Sequence, residues 1–341
     1  MTSRKEQLKF LLSRRDFMKA ATITASGVAG LGAAACSKLS TRAREWNPLA
    51  SAAHVTVLHA SSYEKNLSDL LRQGFKNYGF NLNGKRVVLK PNLVEYHAAR
   101  TINTNPLLVG AAIDAFRSIG AKEVIVADGP GHQRDTEMLL ELSGLDQVLK
   151  SEKAKFVDLN LDNIYRVPTA TQFTTMQELW LPETILNADL VVSMPKMKTH
   201  HWAGVTLSLK NLFGVIPSVH YGWPKNVLHW HGINESITDI ATTVKPGFTI
   251  IDGIEGMEGN GPLHGETVHS QVVVMSDNLP AADATATRLM GLDPTRIVHL
   301  NYMRQLGEPI IERRIAQVGE SLASYRREFR VIDEFKHLRV V

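Results

Sequence analysis

The chain has 341 residues, a formal net charge of +4 and a single cysteine, Cys36. Beyond Cys36 there is no residue that could form a disulfide, a thiolate zinc site, a cysteine nucleophile or a cysteine-ligated iron–sulfur cluster. Residues 1–35 carry six basic and two acidic residues, so the remainder is formally neutral, and the sequence pI of about 9.0 is no reason to expect nucleic-acid binding.

The N-terminal segment resembles a twin-arginine export signal. Ser13–Lys19 reads Ser-Arg-Arg-Asp-Phe-Met-Lys, with Arg14 and Arg15 as the paired arginines, and the uncharged stretch Ala20–Ala35 follows. This stretch is shorter than the ~20 residues that a membrane-spanning helix needs, and its small side chains would make a weak anchor. We therefore expect a signal peptide over residues 1–35, export through the twin-arginine translocon and a periplasmic or other extracytoplasmic location.

Cys36 ends a segment that resembles a bacterial lipoprotein cleavage box, Leu31-Gly32-Ala33-Ala34-Ala35-Cys36. Such boxes prefer Leu three residues before the cysteine, where this chain has Ala33. Lipidation of Cys36 with anchorage to a membrane, and plain cleavage at an Ala-x-Ala site, therefore stay open as equal alternatives. Residues 36–53 are small and polar without a sustained period, and we expect them to form a linker.

From residue 54 onward, short apolar runs alternate with longer amphipathic ones. Strands are predicted at Val55–Ala60, Arg86–Lys90, Glu123–Ala127, Lys155–Leu159, Asp189–Met194, Phe248–Ile251 and Gln271–Met275. Helices are predicted at Glu64–Tyr78, Pro106–Ile119, Thr136–Leu142, Val205–Phe213, Asn234–Val244 and Ala281–Met290. This alternation is typical of βαβ units, so we expect one large α/β domain over residues 54–341, with a mainly parallel sheet and helices on both faces.

Polar residues follow four of the predicted strands. The four segments are Lys90-Pro91-Asn92, Asp128-Gly129-Pro130-Gly131-His132, Pro195–His201 and Asp252–Pro262. Ligands of open α/β sheets bind beyond the carboxyl ends of the strands, so we expect these segments to share one rim. Gly and Pro occupy five of the eleven positions of the last segment, which suits close approach to a ligand or, alternatively, a tight chain reversal.

Four separated motifs in the chain resemble the domain-of-unknown-function family 362 (DUF362). They are Val88-Leu89-Lys90-Pro91-Asn92, Pro195-Lys196-Met197-Lys198-Thr199-His200, Ser208-Leu209-Lys210-Asn211-Leu212-Phe213-Gly214, and Asp252-Gly253-Ile254 with Gly256–Pro262. The resemblance covers most of residues 55–320 and implies an α/β domain of bacteria and archaea whose activity is generally unassigned. Some relatives carry ferredoxin-like cysteine motifs, which hint at redox chemistry, but this chain has none, so a cluster-dependent activity does not carry over.

The lysines of these motifs would gather positive charge at the rim. Such a cluster suits a carboxylate or phosphate, and burial near other cations lowers the pKa of a lysine enough to make it a base or an amine nucleophile. The predicted catalytic residues are Lys90, Asn92, Lys196, Lys198, Lys210 and Asp252. The predicted substrate-binding residues are Asp128, His132, Asn211 and Asn260. Snorkelling or salt-bridged surface lysines are the alternative interpretation.

Seven of the 13 histidines lie between His200 and His269. In an extended segment, the i, i+2 spacing of His229 and His231 would put both rings on one side, where Asp252, Glu255 or His200 could complete a divalent-metal shell. The predicted metal ligands are His200, His229, His231 and Glu255. No HExxH or similarly diagnostic zinc spacing is present, so solvated or packed histidines remain the alternative.

The segment Pro217–Gly232 is predicted to be a long aromatic loop and a candidate lid, or else a packed surface loop.

The chain lacks the glycine-rich fingerprint of nicotinamide binding, the P-loop and the nucleophile elbow of serine hydrolases, which argues against those chemistries. The leading hypothesis is an exported enzyme, metal-assisted or redox-linked, that acts on a small anionic substrate. The alternatives are a non-catalytic periplasmic solute-binding protein and an assembly factor for an exported cofactor enzyme.

Overall fold

The computed structural model describes residues 52–63, 66–131 and 135–340. The predicted signal peptide with Arg14 and Arg15, the candidate lipidation residue Cys36, and His132 all lie outside the described residues. The chain divides into two units, residues 1–42 and 43–341, and everything described belongs to the second. Within the described ranges, no helix has the length and apolar character needed to cross a membrane.

The described residues contain twelve β-strands. They are β1 (Ala53–His59), β2 (Arg86–Pro91), β3 (Glu123–Asp128), β4 (Lys155–Asp158), β5 (Ile164–Pro168), β6 (Glu178–Pro182), β7 (Leu190–Met194), β8 (Lys196–His200), β9 (Gly204–Thr206), β10 (Phe248–Glu258), β11 (Glu266–Ser276) and β12 (Ile315–Gly319). Eight of them form one path in the order β12-β1-β11-β10-β7-β2-β3-β4. β8 joins this sheet by pairing with β10 and carries β9, whereas β5 and β6 form a separate hairpin.

Parallel pairing dominates the sheet. The neighbours β4, β3, β2, β7 and β10 are all parallel, and so are β1 and β12. Along the eight-strand path, β11 alone is antiparallel to its neighbours β10 and β1. The predicted mainly parallel α/β sheet is therefore confirmed.

Twelve α-helices occur in the same described ranges. They are α1 (Leu67–Phe75), α2 (Pro106–Ser118), α3 (Thr136–Ser143), α4 (Leu145–Ser151), α5 (Glu183–Leu186), α6 (Ser208–Asn211), α7 (Ser218–Tyr221), α8 (Asn226–Trp230), α9 (Ile233–Val244), α10 (Leu279–Leu289), α11 (Val298–Gln305) and α12 (Leu322–Tyr325). Short 3₁₀ turns lie at Leu212–Val215, Pro294–Arg296, Glu312–Arg314 and Asp333–Leu338.

Successive strand residues belong to two apolar cores, one on each face of the sheet. In β2, Val87 and Leu89 pack with α1 and α2, whereas Val88 belongs to the core that contains α9 and α10. Side chains alternate between the faces of a strand, so a strand buried on both sides reads as a continuous apolar run. Helices thus cover both faces, as predicted.

The prediction of one helix over Val205–Phe213 is wrong. Gly204–Thr206 forms β9 and pairs with β8, and the helix begins only at Ser208. Gly204 has a φ of +79°, a conformation that favours glycine, and the turn before β9 ends there. The β-branched residues Val205 and Thr206 suit strand pairing.

Two predicted loops are also wrong. Pro217–Gly232 contains the short helices α7 and α8. β10 continues to Glu258 because its partner β11 extends with it as far as the pair Glu258 and Glu266. The chain reversal predicted over Asp252–Pro262 therefore begins only after Glu258.

Candidate functional site

A cavity of about 270 Å³ lies beside the carboxyl ends of β2 and β3. Its charged lining residues come from three strands, one helix and one connection between two helices. They are Lys90 of β2, Asp128 of β3, Lys198 of β8, Lys210 of α6 and Lys225 between α7 and α8. Residues that are distant in sequence converge here because parallel strands end at the same edge of a sheet.

Lys90 and Asp128 form a buried ion pair in the cavity wall. Lys90 Nζ lies 2.7 Å from Asp128 Oδ1, and each side chain is 1% exposed. The ammonium also donates to the carbonyl of Pro91 at 2.7 Å and to Asn211 Oδ1 at 3.0 Å, so its three donors are engaged. Asp128 accepts the backbone N–H of Leu93 at 2.8 Å, which ties the chain after β2 to β3. Lys90 therefore organises the wall and has no donor left for a ligand.

The motif over residues 208–214 is built around this ion pair. Asn211 Nδ2 donates to the backbone carbonyl of Lys90 at 3.0 Å and to Ser193 Oγ at 3.1 Å. Gly214 lies so close to the pair that a Cβ atom there would overlap the carboxylate of Asp128 and the ammonium of Lys90. Only glycine fits at this position without displacing the two charges.

Three further lysines line the cavity and form no ion pair with any carboxylate of the described residues: Lys198, Lys210 and Lys225. Lys198 donates to two backbone carbonyl oxygens, at 2.8 and 3.4 Å. Lys225 donates to two others, at 2.9 and 2.5 Å. An ammonium has three N–H donors, so each of these two lysines keeps one for a ligand. We call Lys198, Lys210 and Lys225 the unpaired lysines.

Lys210 is the least constrained of the unpaired lysines. Its ammonium has no hydrogen-bond acceptor within the described ranges, and Nζ lies 4.0 Å from the centroid of the Phe213 ring. Burial, assisted by the charge of Lys90, lowers the pKa of Lys210 to about 7. Burial likewise lowers the pKa of Lys225 to about 7 and that of Lys198 well below its ordinary value. An amine with a pKa near neutrality can accept a proton at physiological pH.

Asp283 of α10 positions the helix that carries Lys210. Its carboxylate accepts the N–H of Ser208 at 2.7 Å and that of Leu209 at 2.9 Å, at the start of α6. The carboxylate is completely buried, and this burial raises the pKa of Asp283 to about 7. These bonds satisfy helix donors that would otherwise be left without partners, and they fix Lys210 and Asn211 relative to the sheet.

A row of five rings in contact also borders the cavity, and we call it the aromatic wall. In order, the rings are His200, His201, Trp202, His229 and Phe213. Successive ring centroids are 5.0, 4.8, 5.1 and 5.8 Å apart. Trp202, the middle ring, is 56% exposed, and from it the row leads through His229 to Phe213, which is 6% exposed and contacts Lys210.

Within the aromatic wall, His200 is held as a neutral ring. Its Nδ1 accepts the backbone N–H groups of Trp202 and Ala203, at 3.0 and 3.2 Å, so Nε2 carries the proton. Burial and the charge of Lys210 lower the pKa of His200 well below its ordinary value. His200 therefore adds a donor, but no charge, to the site.

A family model described as Domain of unknown function (DUF362) matches residues 87–288, more than half of the chain and a span that includes every charged residue of the cavity. The chain belongs to the DUF362 family. The DUF362 chain is also 28% identical over 267 residues to a thylakoid-associated protein from Synechocystis sp., an alignment that covers 74% of this chain and 79% of that protein.

Two solved structures share part of the fold. The lactate racemase apoprotein from Thermoanaerobacterium thermosaccharolyticum is 15% identical with a TM-score of 0.42, over 70% of this chain and 57% of that one. A protein from Thermotoga maritima is 13% identical with a TM-score of 0.38, over 68% and 60% of the two chains. The DUF362 chain thus spans less than two thirds of either solved chain, and these TM-scores are too low to bear on its function.

Four of the six predicted catalytic residues line the cavity. They are Lys90, Asn92, Lys198 and Lys210. The other two, Lys196 and Asp252, are not among the lining residues and form a separate buried ion pair at 2.6 Å. Tyr63 closes that pair: its hydroxyl donates to Asp252 at 2.7 Å and accepts from Lys196 at 3.0 Å. The structure therefore brings three of the four predicted lysines to one cavity.

The predicted substrate-binding residues are divided in the same way. Asp128 and Asn211 line the cavity, where both are engaged with Lys90. Asn260 is exposed and is not among the lining residues. His132 lies outside the described residues.

The structure does not bring the predicted metal ligands together. Among the described residues there is no group of three or more His, Cys, Asp or Glu side chains that could hold an ion. His200 and His229 line the cavity, whereas His231 bonds to Thr175 at 2.8 Å and Glu255 lies 3.7 Å from a histidine of β11. The segment was expected to be extended, but His229 lies in α8, where an i, i+2 spacing separates two side chains around the helix.

Sequence reasoning missed Lys225, Thr206 and most of the aromatic wall. Lys225 is 2% exposed and has a φ of 69°, a backbone conformation that the sequence does not reveal. Thr206 Oγ1 and Asn92 Oδ1 are buried in the wall, and neither has a hydrogen-bond partner among the residues that the structure describes. The consecutive residues His200, His201 and Trp202 were a visible signal, because polar aromatics in succession seldom serve only to fill a core.

Proposed function

We propose that the DUF362 chain is an enzyme that binds a small anionic molecule in this cavity and uses Lys210 as its general base. The observation that carries the proposal is the state of Lys210: an amine in a cavity wall, without a hydrogen-bond acceptor within the described residues and with a pKa of about 7. Strongly perturbed groups in clefts are enriched at functional sites.

Anion binding is supported by the charges and free donors of the wall. Asp128 compensates Lys90, but the unpaired lysines have no carboxylate partner among the described residues. Lys198 and Lys225 each offer one N–H, and Lys210 offers its whole ammonium when protonated. A carboxylate or phosphate would accept these donors in charge-assisted hydrogen bonds and offset the cost of burying the cations.

The chemistry follows from the neutral form of Lys210. Its lone pair accepts a proton from a C–H or O–H of the bound substrate, and the electron pair of the broken bond remains on the substrate. The lysinium that forms lies beside the bound anion, which stabilises it. A non-catalytic solute-binding protein would hold the same anion without this transfer.

Competition labelling with acetic anhydride, read by mass spectrometry at a series of pH values, tests the proposal. Labelling of Lys210 should titrate at about pH 7, and saturating succinate or phosphate should slow it, because the bound anion covers the amine and raises its pKa. The exposed Lys122 is the control, and its labelling should not respond to the anions. Titration of Lys210 at its ordinary value, or no protection by any small carboxylate or phosphate, would contradict the proposal. Protection without turnover of any bound anion would favour the solute-binding protein.

Export is a separate proposal. We propose that residues 1–35 direct the chain through the twin-arginine translocon and that Cys36 anchors the exported protein to a membrane. The support is the Arg14-Arg15 pair with the uncharged stretch behind it, together with the description of the Synechocystis relative as thylakoid-associated. Replacing both arginines with lysine should retain the protein in the cytoplasm, and Cys36→Ser should move it from the membrane to the soluble fraction. Unchanged fractionation of either variant would contradict the corresponding part.

A further inference from the structure

When they are protonated, the unpaired lysines give the described part of the cavity wall an excess of positive charge. Lys90 is neutralised by Asp128, but Lys198, Lys210 and Lys225 have no such partner. A cavity with several uncompensated cations favours a ligand with two or more negative charges over one with a single charge. Such a ligand would raise the pKa of Lys225 from about 7, so binding at neutral pH would take up protons.

The aromatic wall stands next to this charge. Phe213 contacts both Lys210 and His229, so the ring row and the cationic cluster meet at one residue. Trp202, the middle ring of the row, is 56% exposed although it lines the cavity. A large aromatic surface left open at a cavity is suited to stacking against a flat ligand.

We propose that the ligand is a planar aromatic or heteroaromatic anion with at least two negative charges. Its carboxylate or phosphate groups would lie on Lys198 and Lys225, which leaves the amine of Lys210 available as the base, and its ring would lie against the aromatic wall between Trp202 and Phe213. This inference rests on the proposed function and adds the class of substrate to it. A volume of about 270 Å³ is slightly below the range of roughly 300–1,000 Å³ that is usual for ligand pockets, so the ring system is small.

Matched pairs of probes separate the contributions of ring and charge. Phthalate and cis-cyclohexane-1,2-dicarboxylate carry the same two carboxylates, but only phthalate has a flat ring. Phenyl phosphate and cyclohexyl phosphate form the corresponding phosphate pair, and benzoate keeps the ring with a single charge. In isothermal titration calorimetry of the full chain, at least one flat dianion should bind about 5–10-fold tighter than its saturated partner and than benzoate. The calorimetric heats in buffers of different ionisation enthalpy should show proton uptake.

Variants of the aromatic wall test where the preference for a flat ring arises. Trp202→Leu should reduce this preference to about twofold or less, and Trp202→Phe should retain most of it. Trp230→Leu is the matched control, because Trp230 is 79% exposed and is not among the cavity-lining residues. Since Trp202 is more than half exposed, its variants are expected to fold, and circular dichroism verifies this.

Each outcome bears on the inference. Equal affinity for flat and saturated dianions would overturn it while leaving the proposed function intact, since anions would still protect Lys210. Benzoate binding as tightly as phthalate would overturn the charge requirement, and an undiminished ring preference in Trp202→Leu would overturn the role of the wall. If no anion of any kind binds or protects Lys210, both this inference and the proposed function fail.

Discussion

The described part of the DUF362 chain contains two buried Lys–Asp pairs that are nearly identical in geometry and differ in their surroundings. Lys90–Asp128 and Lys196–Asp252 have N–O distances of 2.7 and 2.6 Å, and none of the four side chains is more than 1% exposed. The first pair is part of the cavity wall, and Lys198, Lys210 and Lys225 line the same cavity. The second is closed by the Tyr63 hydroxyl and does not line the cavity.

The comparison teaches that a buried lysine beside a carboxylate is not by itself a catalytic group. Both pairs serve as clamps: Asp128 holds the N–H of Leu93, and Asp252 holds the N–H of Asn105, each from the chain that follows β2. What distinguishes the cavity is the nearby Lys210, which lacks both a carboxylate and a hydrogen-bond acceptor among the described residues. Reactivity is expected where a cation is left unpaired, not where it is neutralised.

The largest expected effect concerns the Lys196–Asp252 ion pair. Asp252→Ala leaves Lys196 buried without its counter-ion, and breaking a buried pair in this way costs about 3–5 kcal/mol of unfolding free energy. Urea denaturation measures this loss.

A double variant provides the control for that experiment. Lys196→Met combined with Asp252→Leu removes both charges and should recover most of the lost stability, because no unpaired ion remains. A loss below about 1 kcal/mol in Asp252→Ala would mean that this pair is not a structural clamp.

Much of the fold could be predicted because its physical signals are local. The apolar runs at β2, β3 and β7 mark strands buried on both faces, and their alternation with amphipathic segments indicates a parallel sheet. β8 could not be predicted in the same way. Its sequence Lys196-Met197-Lys198-Thr199-His200 is polar, and its burial depends on pairing with β10 and on the cavity.

The site was predicted less completely, since it depends on tertiary placement. Lys196 and Lys198 were both predicted to be catalytic residues at the rim, yet only Lys198 lines the cavity. The register between β8 and β10 shifts between Asp252 and Met257, and such an irregularity cannot be inferred from residue spacing. Lys225 reaches the wall through a left-handed backbone conformation, which is uncommon for lysine.

The smaller expected effect concerns Lys210, whose contribution to the stability of the fold depends on pH. The pKa of Lys210 falls from an ordinary value of 10.5 to about 7 on folding, so between these values the unfolded chain binds more protons than the folded one. Charged Lys210 therefore weakens the fold at low pH, and the penalty is lost as the pH rises from 7 toward 10.5. We expect Lys210→Met to be more stable than the wild type by about 1 kcal/mol at about pH 6, with a smaller difference at about pH 9.

Urea denaturation at several pH values tests this expectation. Lys122→Met, an exposed substitution of the same chemistry, should show no such change with pH. A wild type that is more stable than Lys210→Met at about pH 6 would mean that Lys210 already has a stabilising partner in the folded chain.

The carboxylate of Asp283 has a practical consequence for protein engineering. The N–H groups at the start of α6 are bound by Asp283 of α10, which lies near residue 288, the end of the family match. A truncation that stops before residue 279 removes α10, and α6 with its Lys210 then loses this hydrogen-bond acceptor. Shortened versions, split halves and circular permutants of this chain must therefore keep both segments together if they are to report on the native chemistry.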